Sequence, residues 1–303
     1  MSQRPIRWVG SRAVLVERDT LDDVLALHAY LRAHPLPGQL DLVPAAKTLL
    51  IKCDSHRNAA RAYAAAADID APPIDASEGR TVEIEVVYDG EDLKAVAELT
   101  GLDVDGVIEA HTSQTWRAAF GGFAPGFVYL AAENDTLDVP RRDSPRTAVP
   151  AGSVALAGLF SAIYPRRSPG GWQLIGRTDA RLWDIERDEP ALIRAGDRVR
   201  YVAVDELSGD AEETAATPDA AALPDTEPSS GAALEIVDAG LQSLIQDQGR
   251  PGLSHLGVSI SGAADATAAR QANRLVGNTP DAAVIETVLG GLTLRARGDV
   301  VLA

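Results

Sequence analysis

An acidic, proline-containing segment divides the chain into two unequal parts. Asp205–Ala232 carries eight Asp or Glu residues, three prolines and no Lys, Arg or His, and its few apolar residues show no periodicity. A segment of this composition cannot bury enough apolar surface to offset the entropy cost of ordering it. We therefore predict a disordered linker over 205–232, with folded regions on both sides of it.

The region before the linker predicts two domains of different character. In residues 1–78, a strand at Arg12–Glu17 and a helix at Thr20–His34 begin the order β-α-β-β-α, which predicts a small α+β sandwich. The remaining predicted elements of this domain are strands at Leu40–Val43 and Thr48–Cys53 and a helix at Ser55–Ala67.

Residues 79–204 predict a mostly β barrel, because Thr81–Tyr88 alternates strictly and many short strands broken by Gly and Pro follow two helical stretches. Residues 233–303 predict β-strands around one helix, Ala264–Val276, and the chain stops as another strand begins. We expect this last domain to be partial and β-rich.

The net charge excludes one class of function. With 28 Lys plus Arg against 44 Asp plus Glu, the chain carries a formal charge of −16, whereas nucleic-acid binding needs cations that neutralise phosphates. A single cysteine rules out an internal disulfide. The N-terminus lacks the apolar core of a signal peptide, and Pro and Gly interrupt the longest uncharged run, Thr147–Pro165. We expect a cytoplasmic protein with no membrane segment.

Several standard sites are absent from the sequence. It contains no phosphate-loop motif, no dinucleotide-binding glycine motif and no nucleophile elbow. Cys53 and His56 are three residues apart, but two ligands are too few for a zinc site. We therefore predict no metal site built by protein side chains.

Two clusters carry the remaining chemical signal. Phe120–Leu130 combines three glycines, which allow close approach of the backbone, with Phe123, Phe127 and Tyr129, which offer an aromatic wall. Tyr164–Trp172 contains two arginines and the pair Gly170 and Gly171, whose amides are suited to an anion. Either segment is a ligand-facing loop or, alternatively, an ordinary turn of the barrel.

Eight short islands between Ile84 and Val204 follow one another in a characteristic order. They are Glu109–Ser113, Gly122–Leu130, Pro140–Arg142, Pro145–Arg146, Val149–Val154, Ile163–Pro165, Ser168–Gly176 and Arg187–Pro190. With these islands, the run resembles the B subunit of the bacterial ATP-dependent 5-oxoprolinase, a family also described as allophanate hydrolase subunit 1 or as the sporulation kinase inhibitor family. One local departure is Phe160–Ala162, which stands where the family usually has Gln-Thr-Gly.

The region after the linker contains a second set of islands. They are Gln246–Arg250, Gly257–Ser259, Gly262–Asp265, Ala272–Asn273, Leu275–Asn278 and Ile285–Thr287. With these islands, the region is similar to the start of the C subunit of the same enzyme, also described as allophanate hydrolase subunit 2. The family's C subunit is several times longer than this region, so the resemblance implies a B–C fusion with only part of a C-type domain.

The resemblance implies a fold and an activity. The implied architecture is a ferredoxin-like N-terminal domain, a cyclophilin-like β-barrel and a partial carboxyltransferase-type domain. The implied reaction is the ATP-dependent opening of 5-oxo-L-proline to L-glutamate, with Mg²⁺ accompanying the ATP and no biotin attached to this chain. The implied partners are an A-type subunit and a full-length C-type subunit, with a small-molecule substrate.

The resemblance also implies a set of site residues. His111 is the candidate for proton transfer or phosphate contact, and Glu286, in an apolar run, is a second candidate catalytic group. Alternatively, His111 is a helix-end histidine bonded to backbone, and Glu286 pairs with Arg250 or Arg274. The candidates for substrate or ATP binding are Phe123, Pro125, Gly126, Phe127, Tyr129, Arg142, Arg146, Ser153, Tyr164, Arg167, Gly170, Gly171, Trp172, Asp247, Arg250 and Asp265.

Two other functions remain open from the sequence. A carboxyltransferase-like module of a urea carboxylase or allophanate system would need biotin from another chain, because the only methionine is Met1 and a biotin acceptor lysine lies between methionines. A regulatory protein that docks on a kinase would instead present an exposed apolar patch and no ATP turnover. For Asp247 and Asp265, turn formation or helix capping is the alternative to ligand binding.

Overall fold

The computed structural model describes residues 5–73, 79–207 and 233–303, and these form two compact units. The first unit holds the described residues up to 207 together with Gly252–Val258, and the second holds the other residues from 233 onward. The grouping of Gly252–Val258 with the first unit is a feature that the sequence-based domain boundaries do not contain. Most of the predicted linker, 208–232, lies outside the described residues.

The first unit begins with a four-stranded antiparallel sheet and two helices. The strands are β1 (Ile6–Val9), β2 (Ala13–Glu17), β3 (Gln39–Pro44) and β4 (Thr48–Cys53), in the spatial order β1-β2-β4-β3; the helices are α1 (Leu21–Ala33) and α2 (His56–Asp68). Thr20 caps α1 in a capping box with Asp23, and Ser55 caps α2, as the sequence predicts. Alternating Val14 and Val16 of β2 pack against alanines of α2.

The predicted order β-α-β-β-α lacks the first strand. β1 contains mostly exposed side chains and has no apolar alternation of its own. It forms because Gly10, at φ +62°, reverses the chain and lets β1 pair with β2 along its length. Pairing with a neighbour therefore defines this edge strand, whereas the prediction relied on periodicity.

The rest of the first unit is a nearly closed β-barrel. The strands are β5 (Thr81–Val86), β6 (Trp116–Gly121), β7 (Val128–Ala131), β8 (Arg146–Val149), β9 (Ser153–Ala157), β10 (Phe160–Ile163), β11 (Ser168–Gly170), β12 (Gln173–Arg177) and β13 (Arg198–Ala203). The barrel sheet has the strand order β12-β9-β10-β7-β6-β13-β5, and β8 and β11 form a separate pair. In the sheet, β13 pairs with β5 in parallel, while the other pairs are antiparallel. Two backbone hydrogen bonds between Val87 and Arg177, of 3.0 and 2.9 Å, join the two edges of the sheet.

Two short helices cover the barrel and complete its core. α3 (Leu93–Thr100) and α4 (Val104–Thr112) lie between β5 and β6, and both predicted helical stretches are confirmed. Val96 and Val107 from these helices join the buried barrel residues Ile84, Trp116 and Leu156 in one apolar cluster. The mostly β character of this domain is thus confirmed.

The second unit is small and consists of two strand pairs and one helix. β14 (Ala233–Asp238) pairs with β17 (Thr293–Arg297), β15 (Ser243–Gln246) pairs with β16 (Val284–Thr287), and α5 (Ala266–Leu275) lies between β15 and β16 in the sequence. Several large apolar side chains stay exposed, among them Leu241, Ile245, Leu275 and Leu289. None of the helices in the described ranges combines the length and apolarity that a membrane crossing requires.

Candidate functional site

The loop between β6 and β7 has an unusual backbone. Gly126 at φ +80° and Phe123 at φ +66° both adopt the left-handed region, and the amide of Phe127 donates to the carbonyl of Ala124 at 2.9 Å. For a non-glycine residue this conformation costs about 1–2 kcal/mol. Phe123 is also 58% exposed. A strained, exposed phenylalanine at a loop tip is an unfavourable arrangement in isolation, so this position is a candidate for ligand contact.

An aromatic cluster, defined here as Phe123, Phe127, Tyr129, Tyr164 and Trp172, lies behind that loop tip. The ring centroid of Phe127 lies 5.1 Å from that of Phe123, 5.4 Å from that of Tyr164 and 5.7 Å from that of Trp172. The ring centroids of Tyr129 and Trp172 are 5.6 Å apart. All four contacts have an edge-to-face geometry, which aromatic rings prefer. The structure therefore brings together the two sequence clusters, Phe120–Leu130 and Tyr164–Trp172, that carried the chemical signal.

The glycines beside this cluster allow close packing. A Cβ on Gly170 would overlap the hydroxyl of Tyr164, and Gly126 faces the backbone of Leu182. Burial raises the pKa of Tyr164, although a hydrogen bond with the backbone of Trp172 opposes the shift. The carbonyl of Gly171 accepts from the amide of Arg142 at 2.8 Å. Packing against the Tyr164 ring therefore accounts for Gly170 without a bound anion.

Arg141 is a residue of this site that the sequence reasoning did not select. Its guanidinium carbon lies 6.0 Å from the centroid of the Trp172 ring, within cation–π range. Its charge also lowers the pKa of Tyr129 and Tyr164, against the dominant effect of burial. The Pro140–Arg142 motif contains Arg141, but only Arg142 was selected from that motif as a candidate site residue.

Arg142 and Arg146, predicted to contact a substrate anion, are held by carboxylates of the chain itself. Both nitrogens of the Arg146 fork lie 2.9 Å from Asp92, and Arg142 also pairs with Asp92. Glu91 accepts a further bond from Arg146 at 2.9 Å. These ion pairs occupy the guanidinium groups, so this arrangement does not support anion binding by Arg142 and Arg146.

Asp92 is the centre of this ion-pair cluster. It is only 4% exposed, and its carboxylate also accepts from the amide of Leu174 at 2.8 Å. Burial alone would raise its pKa, but the hydrogen bonds from Arg146 and Leu174 and the charge of Arg142 outweigh burial and lower the pKa. Asp92 thereby fixes the segment that carries Arg141 and Arg142 to the start of β12.

His111 lies in the barrel core at 0% exposure. Its Nδ1 is 2.7 Å from the hydroxyl of Tyr88, its Nε2 is 3.1 Å from Oγ of Ser161, and Ser161 is 3.0 Å from the hydroxyl of Tyr201. Burial lowers the pKa of His111 to about 3, so the ring is neutral at pH 7. Side chains satisfy both ring nitrogens, which corrects the alternative of a backbone bond and leaves no nitrogen free for a substrate.

The other predicted site residues of the barrel differ in how far they are exposed to solvent. Ser153 is buried in β9, where its carbonyl accepts from the amide of Tyr164 at 3.0 Å. Pro125 is half-buried in the loop after β6, and Arg167 is exposed in the turn before β11. Of these, only Arg167 presents an accessible charge.

In the second unit, the predicted acidic residues accept hydrogen bonds from backbone amides. Asp265 caps α5 by accepting from the amides of Thr267 and Ala268, which confirms the capping alternative. Asp247 accepts from the amide of Gly249 at 2.7 Å, as a turn residue does. Glu286 is half-buried and accepts from the amide of Ala264 at 2.8 Å.

Arg250 does not form the ion pair that was the alternative for Glu286. Its Nε donates to the carbonyl of Ser259 at 3.4 Å, and within the described part of the chain neither Arg250 nor Arg274 pairs with Glu286. A small cavity of about 210 Å³ in this unit is lined by Asp247 and Arg250, but not by Glu286 or Asp265. The four residues therefore do not form one site.

Comparison with known proteins assigns the family. The chain matches the model described as carboxyltransferase domain, subdomain C and D, over residues 4–193, which is more than half of its length. The chain belongs to the carboxyltransferase subdomain C and D family. A second model, carboxyltransferase domain, subdomain A and B, matches residues 256–303.

The relatives of this carboxyltransferase-family chain confirm the resemblance to both subunits. It is 36% identical to the 5-oxoprolinase B subunit of Bacillus subtilis over 199 residues, covering 60% of this chain and 83% of that protein. It is 42% identical to the 5-oxoprolinase C subunit of Haemophilus influenzae over 67 residues, covering 22% of each. The crystal structure of TTHA0988 is 36% identical with a TM-score of 0.73, and the match covers 96% of this chain and 58% of that one. The chain thus has the arrangement of a B–C fusion and spans just over half of TTHA0988.

Proposed function

We propose that this chain is a component of an ATP-dependent 5-oxoprolinase that acts with an A-type subunit. The observation that carries the proposal is the order of the matches. Relatives named as the B and C subunits of one enzyme match successive parts of a single chain. A fusion of two subunits keeps their ratio fixed, which suits parts that work in one complex. The finer fold assignment, a ferredoxin-like domain followed by a cyclophilin-like barrel, belongs to the same proposal.

The reaction requires activation of a stable lactam. Transfer of the γ-phosphoryl group of ATP to the lactam oxygen releases ADP and makes the ring carbon electrophilic. Addition of water and cleavage of the C–N bond then give the free amine, and a second water releases phosphate, leaving L-glutamate. The protein must exclude bulk water and stabilise the developing charge.

The aromatic cluster is the part of this chain that suits such a reaction. Phe123 is exposed on a strained loop and would close over a small ring, while Phe127 and Trp172 exclude water behind it. Arg141 lies beside Trp172 and forms no ion pair within the residues that the structure describes, so its charge is available to an anion. Arg167, which the sequence did predict, is a further exposed cation of the barrel.

His111 serves a positioning role in this proposal. Its hydrogen bonds to Tyr88 and Ser161 connect α4 to the segment just after β5 and to β10, a strand of the barrel wall. Ser161 is the middle residue of Phe160–Ala162, the step that departs from the family pattern. The serine hydroxyl preserves a partner for Nε2 of His111, so the buried network is complete without the family's usual residues at that step.

ATP and Mg²⁺ are proposed on chemical grounds. Phe123 and Arg141 offer a ring face and a cation that fit a nucleotide or its phosphates. In the ranges that the structure describes, no three His, Cys, Asp or Glu side chains are arranged to hold a metal ion. Mg²⁺ would therefore arrive on the ATP phosphates with water completing its shell, as is common for this ion.

The test is reconstitution. The purified chain is mixed with an A-type subunit and a full-length C-type subunit, and ADP and glutamate formed from ATP and 5-oxo-L-proline are measured with and without the chain. We expect coupled products only when the chain is present. Phe123→Ala should reduce turnover at least tenfold, whereas Leu159→Ala, which removes another exposed apolar side chain of the same barrel, should leave turnover unchanged.

Two results would contradict the proposal. Turnover that is equal without the chain would show that it is not a required component, provided that the partner subunits are active with a known B subunit. A reaction that instead consumes urea and is blocked by avidin would assign the carboxyltransferase function, which the two carboxyltransferase model matches favour as the second candidate.

A further inference from the structure

A cleft of about 870 Å³ lies in the first unit, outside the aromatic cluster. Its wall includes residues of α1, the strand β6, the segment 188–197 and the short Gly252–Val258 segment. Cavities that bind small molecules usually measure about 300–1,000 Å³. No residue that lines this cleft was among the candidate site residues from the sequence.

The cleft wall carries more arginines than carboxylates, although the chain as a whole is strongly acidic. Four arginines and two histidines line it, together with Asp188, Glu189 and Asp197. Three of the arginines are neutralised by carboxylates, in the pairs Arg80 with Asp197, Arg117 with Asp22 and Arg194 with Glu189. Arg32, in the last turn of α1, has no carboxylate partner in the part of the chain that the structure describes. The guanidinium of Arg32 is therefore available to an anion, while the remaining wall carboxylate, the exposed Asp188, belongs to the segment 188–197 and not to α1.

His28 lies one turn before Arg32 on the same helix and is also without a partner. It is 6% exposed, it lines the cleft, and its ring makes no hydrogen bond to any residue in the described ranges. The ring nitrogens are not among the fully enclosed side-chain atoms of the described residues that lack a partner, so they reach the open space of the cleft. A ring that is otherwise buried and presents unpaired nitrogens to a cleft is placed to bond to a ligand there.

Two neighbours complete the surroundings of these residues. Nδ1 of His255 is 3.0 Å from the carbonyl of Gly252, which orients that ring beside the cleft. Burial and the charge of Arg32 both lower the pKa of His28, to about 4, so the ring is neutral at pH 7 and offers one N–H. Asp41 opposes the effect of Arg32, but its carboxylate already accepts from the amide of Leu42 at 2.9 Å and from Ser254.

We propose that this cleft binds the carboxylate group of a small organic acid, with Arg32 contacting the carboxylate and the His28 ring donating its N–H. Arginine matches the two oxygens of a carboxylate with two of its nitrogens. No Phe, Tyr or Trp side chain lines the cleft, so it offers no stacking surface for a purine. This inference rests on the proposed function, since the acids concerned are 5-oxo-L-proline and L-glutamate, the lactam substrate and its open product.

Binding to the isolated chain tests this directly, without turnover. Calorimetry and NMR are used with 5-oxo-L-proline and L-glutamate, and with 2-pyrrolidinone, which has the same lactam ring but no carboxylate. The ring protons of the five histidines serve as reporters, and His28→Gln identifies the His28 signal. We expect 5-oxo-L-proline or L-glutamate to bind and to shift the His28 signal, and 2-pyrrolidinone not to bind.

The matched variants are Arg32→Gln and Arg57→Gln. Both remove one exposed arginine from a helix of the N-terminal sheet domain, but Arg57 on α2 lies outside the cleft. Arg32→Gln should weaken binding at least tenfold, and Arg57→Gln should not change it. Since Arg32 is exposed, loss of binding in Arg32→Gln cannot be attributed to a collapsed core.

Four outcomes would overturn the proposal: no binding of either acid, binding that leaves the His28 signal unchanged, equal binding of 2-pyrrolidinone, or unchanged affinity in Arg32→Gln. Stronger binding of phosphate or ADP at the same histidine would assign a phosphate site and would also overturn it. The reconstituted turnover assay separates this failure from failure of the proposed function. Turnover that requires the chain with no acid bound at His28 rejects only the cleft, whereas Arg32-dependent binding without turnover rejects only the 5-oxoprolinase reaction.

Discussion

The ion-pair cluster at Asp92 gives the sharpest test of how the candidate site is held. Asp92→Asn keeps the size of the side chain and removes its charge. Three groups donate to the carboxylate, namely the Leu174 amide, Arg146 and Arg142. A hydrogen bond to a charged acceptor contributes about 1 kcal/mol more than one to a neutral acceptor. The side chain of Arg142 is about a third exposed, so solvent screens its share, and the expected loss is about 2–3 kcal/mol.

Chemical denaturation followed by tryptophan fluorescence measures this loss. All four tryptophans, Trp8, Trp116, Trp172 and Trp183, lie in the first unit, so the signal reports that unit alone. In thermal unfolding, about 2–3 kcal/mol corresponds to a fall in Tm of about 5–10 °C for a unit of this size. Asp89→Asn is the matched control, because Asp89 pairs with Arg177 on the surface and both side chains are about half exposed. The control should lose less than about 0.5 kcal/mol.

The dependence on pH provides the refutation. The pKa of Asp92 is lower in the folded chain than in the unfolded chain, so its contribution is complete above the unfolded value of about 3.9 and is lost as pH falls through the folded value. The stability difference between the wild type and Asp92→Asn should therefore stay constant from pH 7 to about 5 and shrink below about 4. A difference of the same size at pH 3, or a variant as stable as Asp89→Asn at pH 7, would refute the assignment of Asp92 as the charged centre of this cluster.

Three further predictions concern the barrel. The ring of His111 should stay neutral from pH 7 to about pH 4, because burial lowers its pKa to about 3. Ser161→Ala should lower the free energy of unfolding by about 1–3 kcal/mol, because it removes the hydrogen-bond partner of Nε2 of His111, whereas Ser168→Ala should change it very little. An NMR titration with a midpoint near 6.5 would show instead that the ring is accessible to water. Gly152→Ala should destabilise the barrel by about 1–3 kcal/mol more than Gly158→Ala, because both glycines have positive φ but only at Gly152 would a Cβ meet a backbone oxygen, that of Thr178. Equal unfolding free energies for the two alanine variants would contradict that steric argument.

The sequence was sufficient for elements with strong local signals. The capped helices α1 and α2 and the strand Thr48–Cys53 lie where capping residues and apolar periodicity predicted them. The motif islands also identified the family, because each island is a short run whose residues are read directly. The mostly β character of the barrel followed from its many short strands broken by Gly and Pro.

The sequence was not sufficient where pairing over long distances decides the outcome. β1 has no periodicity of its own and exists through its pairing with β2. Asp92 precedes Arg142 by 50 residues, and no local pattern indicates that this carboxylate will occupy both Arg142 and Arg146. For the same reason the sequence could not separate Arg141, which forms no ion pair with the described residues, from its neighbour Arg142, which pairs with Asp92.

The family, the helix caps and the aromatic and glycine content of the candidate site can therefore be read from the sequence, since these depend on residue type and short spacing. Only the tertiary arrangement shows that His111 is enclosed by Tyr88 and Ser161, and that His28 and Arg32 line a cleft without a hydrogen-bond or ion-pair partner among the described residues. Burial and the charge of a distant residue set the protonation and availability of each group. Both quantities depend on which strands and helices meet in space, and short sequence patterns do not encode that.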